Sequence, residues 1–158
     1  MKKYLFLLLS LIMLSCATYK APKYKAPDNF DKSRTYNKNF DEVWGKIIKY
    51  FAEKNIPIKT IEKASGIIAT EYSLNTLSNK DCLDCGEMGF GQSLSDYTGN
   101  FNVFVEKINE NQTKVTVSTF FNAMMETVIL FARTPSYRKI DCNSTGILEK
   151  DLLYYIEK

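Results

Sequence analysis

The residues best equipped for chemistry in this 158-residue chain are sulfur and carboxylate side chains close together. Cys82 and Cys85 stand in Asn79-Lys-Asp-Cys-Leu-Asp-Cys-Gly-Glu87, and Cys142 lies far downstream. A Cys-x-x-Cys pair can run thiol–disulfide exchange when a cation or a helix N-terminus stabilises one thiolate. Here Asp81, Asp84 and Glu87 surround the pair, and negative charge raises a thiol pKa. Cys82, Cys85 and Cys142 with a carboxylate would make a metal set, short of the four nitrogen or sulfur ligands usual for structural zinc. The carboxylates Asp81, Asp84, Glu87 and Asp96 do not follow the alternating oxygen pattern of a calcium loop, and glycosidase pairs cannot be read from spacing. The chain contains no histidine. That removes the Ser-His-Asp and Cys-His mechanisms and the commonest neutral-pH acid–base group. No catalytic residue, metal or cofactor is assigned.

The chain opens with two lysines, an apolar run from Tyr4 to Leu14, then Ser15 and Cys16. A basic segment, a short apolar segment and a small-residue border make an export signal. The run is shorter than the ~20 apolar residues that span a bilayer. Cys16 at that border resembles the lipobox of bacterial lipoproteins. The resemblance implies that residues 1–15 are removed, that Cys16 is lipidated, and that the protein is held by that lipid in the bacterial envelope. Ala17 after the cysteine, rather than aspartate, favours the outer membrane. Plain secretion with cleavage elsewhere is the alternative, since Met13 and Ser15 are not the commonest residues at their positions. Export also bears on the other cysteines, because disulfides form in oxidising compartments. The expected bridge is Cys85–Cys142, with Cys82–Cys142 as the shifted alternative. The redox pair Cys82/Cys85 remains open as a periplasmic thiol–disulfide reading.

Loss of Lys2 and Lys3 with the signal would lower the formal charge from +3 to +1. A near-neutral exported chain has no electrostatic case for nucleic acid. Residues 16–35 read as a lipidated N-terminus and flexible tether. Tyr19-Lys-Ala-Pro22 recurs as Tyr24-Lys-Ala-Pro27, without apolar periodicity, and proline favours extended backbone.

One domain is expected over residues 36–158. Phe40, Val43, Trp44, Ile47, Ile48 and Phe51 form one apolar stripe at helical period, with Asn39 as N-cap and Pro57 beyond the end. Trp44 is read as a core anchor. Ile56–Lys63 and Ile67–Leu74 flank Ala64-Ser65-Gly66 and predict a hairpin. Residues 75–97 are rich in glycine and predict a long loop of the kind that is often functional. Asn100–Ile108 and Thr113–Met124 predict a second hairpin, the latter alternating with period two. Residues 125–141 are ambiguous; Val128–Phe131 fits a strand extension or a short helix. A final helix is expected from about Thr145 to Ile156, capped by Ser144 or Thr145. These elements predict an α+β fold: an antiparallel four-stranded sheet, five-stranded if residues 125–141 contribute, with two helices on one face in the order αββββα.

Phe40-Asp-Glu-Val-Trp44 followed by Lys59-Thr-Ile-Glu-Lys-Ala-Ser-Gly-Ile-Ile-Ala-Thr-Glu71 resembles the opening of small outer-membrane lipoprotein domains. The domains of the BamC lipoprotein of the outer-membrane assembly machine are similar in element order. The resemblance covers roughly residues 36–74 and implies a helix-grip architecture, not a partner. The resulting expectation is a non-enzymatic envelope lipoprotein that binds a protein partner in outer-membrane assembly or maintenance. Asp84, Gly86, Phe90 and Phe120 are its candidate contacts. A ligand-carrying helix-grip module is the other alternative.

Overall fold

The computed structural model describes residues 30–73, 80–128 and 134–158. Strand β1 (Ser33–Tyr36) precedes helix α1 (Phe40–Glu53); strands β2 (Ile58–Glu62) and β3 (Ile67–Ser73) follow. A 3-10 turn at Lys80–Cys82 leads into the short strand β4 (Leu83–Asp84). Strands β5 (Gln92–Asn109), β6 (Gln112–Thr127) and β7 (Ser136–Ser144) come next, and helix α2 (Ile147–Glu157) closes the chain.

Helix α1 forms where the apolar stripe predicts it. The Asn39 side chain accepts from the Glu42 backbone N–H at 2.9 Å, satisfying one donor that the first turn leaves open. Asn55 ends the helix in the left-handed region at φ 54. The Ile56 N–H reaches back to the Phe51 carbonyl and the Asn55 N–H to that of Ala52. This is the Schellman arrangement, and Ile56 supplies the accompanying apolar contact by burying itself in the core beside Phe51. Helix α2 differs from expectation at its start. Its N-cap is Gly146, with no side-chain cap. Ser144 instead accepts from the Gly146 N–H at 3.0 Å and donates to Glu149 at 2.9 Å.

The sheet corrects the expected count and order. Among the described residues it has seven strands in the path β2-β3-β5-β6-β7-β4, with β1 pairing β6 off that path, and all pairings are antiparallel. It is not the four- or five-stranded αββββα sheet, and the helix-grip expectation falls with it. The difference has three physical sources. Ser33–Tyr36, largely inside the stretch read as tether, buries only Tyr36, so it lacks a visible alternation. Gln92–Tyr97, read as loop, makes up most of the outer half of β5. There a bulge between Ser95 and Thr98, with Asp96 at φ 47, resets the alternation. Cysteine-flanked β4 is two residues long, too short to carry a period. The ambiguous 125–141 stretch contributes the end of β6 and the start of β7; of Val128–Phe131, only Val128 is among the described residues.

One face of the sheet is covered, in two parts. Near the β5–β6 turn, Ile68, Phe101, Val103, Val105, Val115 and Val117 pack against Val43, Trp44, Ile47, Phe51, Leu152 and Ile156 of the helices. Trp44 stacks on Phe40 with ring centroids 5.6 Å apart, inside this core. A 14-residue helix spans about 21 Å, whereas 16-residue β6 spans about 53 Å, so the helices leave the far half of the hairpin bare. A second cluster fills that half. Phe121, Ala123 and Met125 of β6, Ile140 and Cys142 of β7 and Tyr97 of β5 pack with Cys85, and Met88 is partly buried against them. The 83–91 segment thus takes the place of a third helix.

Candidate functional site

The three described cysteines divide into a bridge and a buried thiol. Leu83 pairs with Ser144 and Asp84 with Asn143, which brings the next pair, Cys85 and Cys142, face to face. Their Cα atoms are 4.2 Å apart and the two are joined by a disulfide. Cys82 keeps its thiol outside that disulfide and is only 2% exposed. Burial raises its thiol pKa, opposed by a backbone hydrogen bond and reinforced by nearby Glu149 and Asp81. A thiolate is the attacking form in disulfide exchange, so the environment of Cys82 opposes that chemistry. Among the described residues, no three cysteine or carboxylate side chains come together to hold a metal ion.

The loop contacts proposed from sequence take different places. Asp84 accepts from the Gly86 N–H at 2.8 Å, and Gly86 adopts φ 79; the two build the turn that carries Cys85 toward β7. Phe90 is 96% exposed at the apex of the Gly89–Gln92 turn. Phe120 lies on the sheet face opposite the helices and is 61% exposed. Cys16 lies outside the described residues.

Among the described residues, no helix packs on that second sheet face. The residues that alternate with the core point onto it: Ile67 and Ala69 of β3, Asn100, Asn102 and Phe104 of β5, and Thr116, Ser118 and Phe120 of β6. Ile67 and Phe104 are directly paired across strands, and both are exposed. Sequence reasoning found Phe120 but missed Phe104. Its signal was present, because Phe104 shares the phase of Asn100 and Asn102 rather than that of Val103 and Val105.

An open depression of about 760 Å³ adjoins this face. It forms because β1 and β7 pair with different stretches of β6, residues 113–116 and 121–127. At the break, the Val117 N–H donates to the Lys32 carbonyl at 2.7 Å. Phe30, Lys32, Phe120, Asn122, Asp141 and Asn143 are among its lining residues. Phe30 is fixed by packing on Gly146, where an added Cβ would meet its ring at 2.5 Å, and Lys32 and Lys150 each place an ammonium 5.7 Å from the ring centroid. An aromatic wall beside amide and carboxylate groups suits a partner's protruding side chain, with apolar contact and hydrogen bonds in one recess.

Glu149, missed in the sequence, anchors the depression from beneath. It is fully buried and accepts hydrogen bonds from the hydroxyls of Thr119 and Ser144. Together they tie the start of α2 to β6 and β7 at the break in pairing.

No protein-family model matches the chain, and no curated protein matches its sequence. Among the described residues, no helix is long and apolar enough to cross a membrane.

Proposed function

We propose that this chain is a non-enzymatic envelope lipoprotein, lipid-anchored at Cys16 and placed at the outer membrane. Its domain binds a protein partner in envelope assembly or maintenance. The observation that carries the reading is the uncovered sheet face, on which Phe104 and Phe120 stand exposed among Asn, Ser and Thr side chains. Aromatic anchors within a polar, hydrogen-bonding surround are the usual composition of a protein-binding surface. The depression beside Phe120 gives that surface relief.

The lipobox resemblance supports the anchor, and the absence of histidine from the sequence supports the non-enzymatic reading. The redox alternative draws no support from a disulfide that joins Cys85 to Cys142 and leaves Cys82 buried. The test is affinity purification from chemically cross-linked envelopes, with the unaltered chain and with Phe104→Ser combined with Phe120→Ser. Recovery of one reproducible protein by the first chain and its loss from the second is the expected result. Equal recovery by both would reject this face as the binding surface.

A further inference from the structure

The far end of the β5–β6 hairpin bears an apolar apex that the partner-binding face does not include. Gln92 pairs with Thr127 at the end of the ladder, and beyond it the Val128 N–H donates to the Gly91 carbonyl at 2.8 Å. The preceding turn is closed by the Gln92 N–H on the Gly89 carbonyl at 3.1 Å and by the Gln92 side-chain oxygen accepting from the Gly89 N–H at 2.8 Å. Gly91 takes φ +74 in it, and a Cβ there would lie 2.6 Å from the Val128 carbonyl oxygen. This bonded turn holds Phe90 outward, 96% exposed, with Val128 beside it at 57%. The exposure of Phe90 is therefore a property of an ordered turn.

Behind the apex stands a collar of a different chemistry. Tyr137 pairs with Glu126, Arg138 with Met125 and Lys139 with Met124, one to three residues back from the Thr127 end. All three are exposed. Among the described residues apolar side chains stand foremost, with an aromatic hydroxyl bonded to the Glu126 carboxylate and two cations about 3 to 10 Å behind the Thr127 end, an order that follows hydrocarbon, interface and headgroup in a bilayer.

We infer that the Phe90 apex dips into the bilayer that carries the anchor. The inference rests on the anchor reading at Cys16. Chain length permits it. Residues 17–29 reach at most about 45 Å, and the chain joins the domain where Lys32 meets Val117. From Val117 to Thr127 is about 33 Å along β6, so anchor and apex can occupy one membrane. One phenylalanine binds a membrane weakly, but an anchored domain meets it at high effective concentration, which makes a weak insertion count. The apex would then fix the orientation of the domain and direct its open sheet face along the membrane.

Trp44 is the only tryptophan and is buried, so the unaltered chain supplies its own baseline. The full processed chain, Phe90→Trp and Asn111→Trp at the opposite turn are reconstituted in phosphatidylethanolamine–phosphatidylglycerol vesicles with brominated acyl chains. Phe90→Trp should lose about half of its added fluorescence, and Asn111→Trp should be quenched no more than the unaltered chain. Both sites lie in exposed turns, so neither substitution disturbs the core. Flotation of the vesicles separates the premises. A chain that fails to float with them removes the anchor, and the inference with it. A chain that floats while Phe90→Trp is unquenched overturns the apex contact alone. Loss of a cross-linked partner by Phe90→Asp, without quenching of Phe90→Trp, assigns the apex to a protein and likewise overturns it.

Discussion

Glu149 and Tyr36 are polar side chains held in the interior, and each joins α2 to the sheet. Glu149 → Ala would strip the acceptor from the Thr119 and Ser144 hydroxyls and leave a cavity beneath the depression. The expected cost is about 3 kcal/mol, the scale of unsatisfied buried polar groups, seen as a lowered denaturation midpoint. Glu149→Gln keeps an acceptor and should lose less. Tyr36 donates its hydroxyl to the Leu153 carbonyl at 2.6 Å. Burial raises its pKa well above the ordinary tyrosine value; Arg34 opposes the shift and Glu157 adds to it. The folded protein therefore favours the neutral phenol. Its contribution is complete below the unfolded value of about 10 and is lost as pH rises beyond it. Stability should fall above that pH by up to about 1.4 kcal/mol per unit. Tyr36→Phe should cost about 1 kcal/mol at neutral pH and flatten this alkaline slope, as chemical denaturation at a series of pH values would show.

At the scale of elements, the disulfide carries the half of the sheet that the helices cannot reach. Cys85 and Cys142 are 57 residues apart in sequence, and closing a loop of that length stabilises by about 4 kcal/mol in the chain-entropy account. Cys85→Ala combined with Cys142→Ala should raise amide exchange across 83–91 and the outer halves of β5 and β6. Exchange in α1 and around Val103 and Val115 should change much less, because those residues belong to the helix-covered core. Uniform loosening throughout would show that the two clusters form one cooperative unit. The elements legible in the sequence were those whose burial has a clean period. Helix α1 and the inner halves of β5 and β6 repeat every 3.6 or two residues over a long stretch. Strand β1 buries one side chain, β4 is two residues long, and the outer half of β5 is interrupted at Asp96. None of these presents a period, and β7 begins in the ambiguous 125–141 stretch, so a strand count made from alternation missed β1, β4 and β7 and left β5 too short. The candidate site was legible in the same measure. Phe120 and Phe90 stood out as large apolar residues in polar surroundings. The depression did not, because it arises from where β1 and β7 stop along a shared edge of β6, a relation between segments far apart in sequence.

At the scale of the whole molecule, the described residues form a sheet with one face buried by helices and a disulfide-held segment and the other face open among them. Phe104 and Phe120 stand on the open face, the Phe30 depression lies at its margin, and the Phe90 apex lies at its far end. A near-neutral domain with this surface suits the proposed role of holding a partner close to the membrane of the proposed anchor. The central claim is that the open face is where the partner sits. Its most direct measurement replaces Phe120 with a photo-reactive phenylalanine analogue in intact cells, with Lys49 on the exposed side of α1 as the control position. The account predicts capture of one protein from position 120, the same protein from position 104, and none from position 49. Capture at position 49 as strong as at 120, or capture of no protein at 104 and 120, would contradict it.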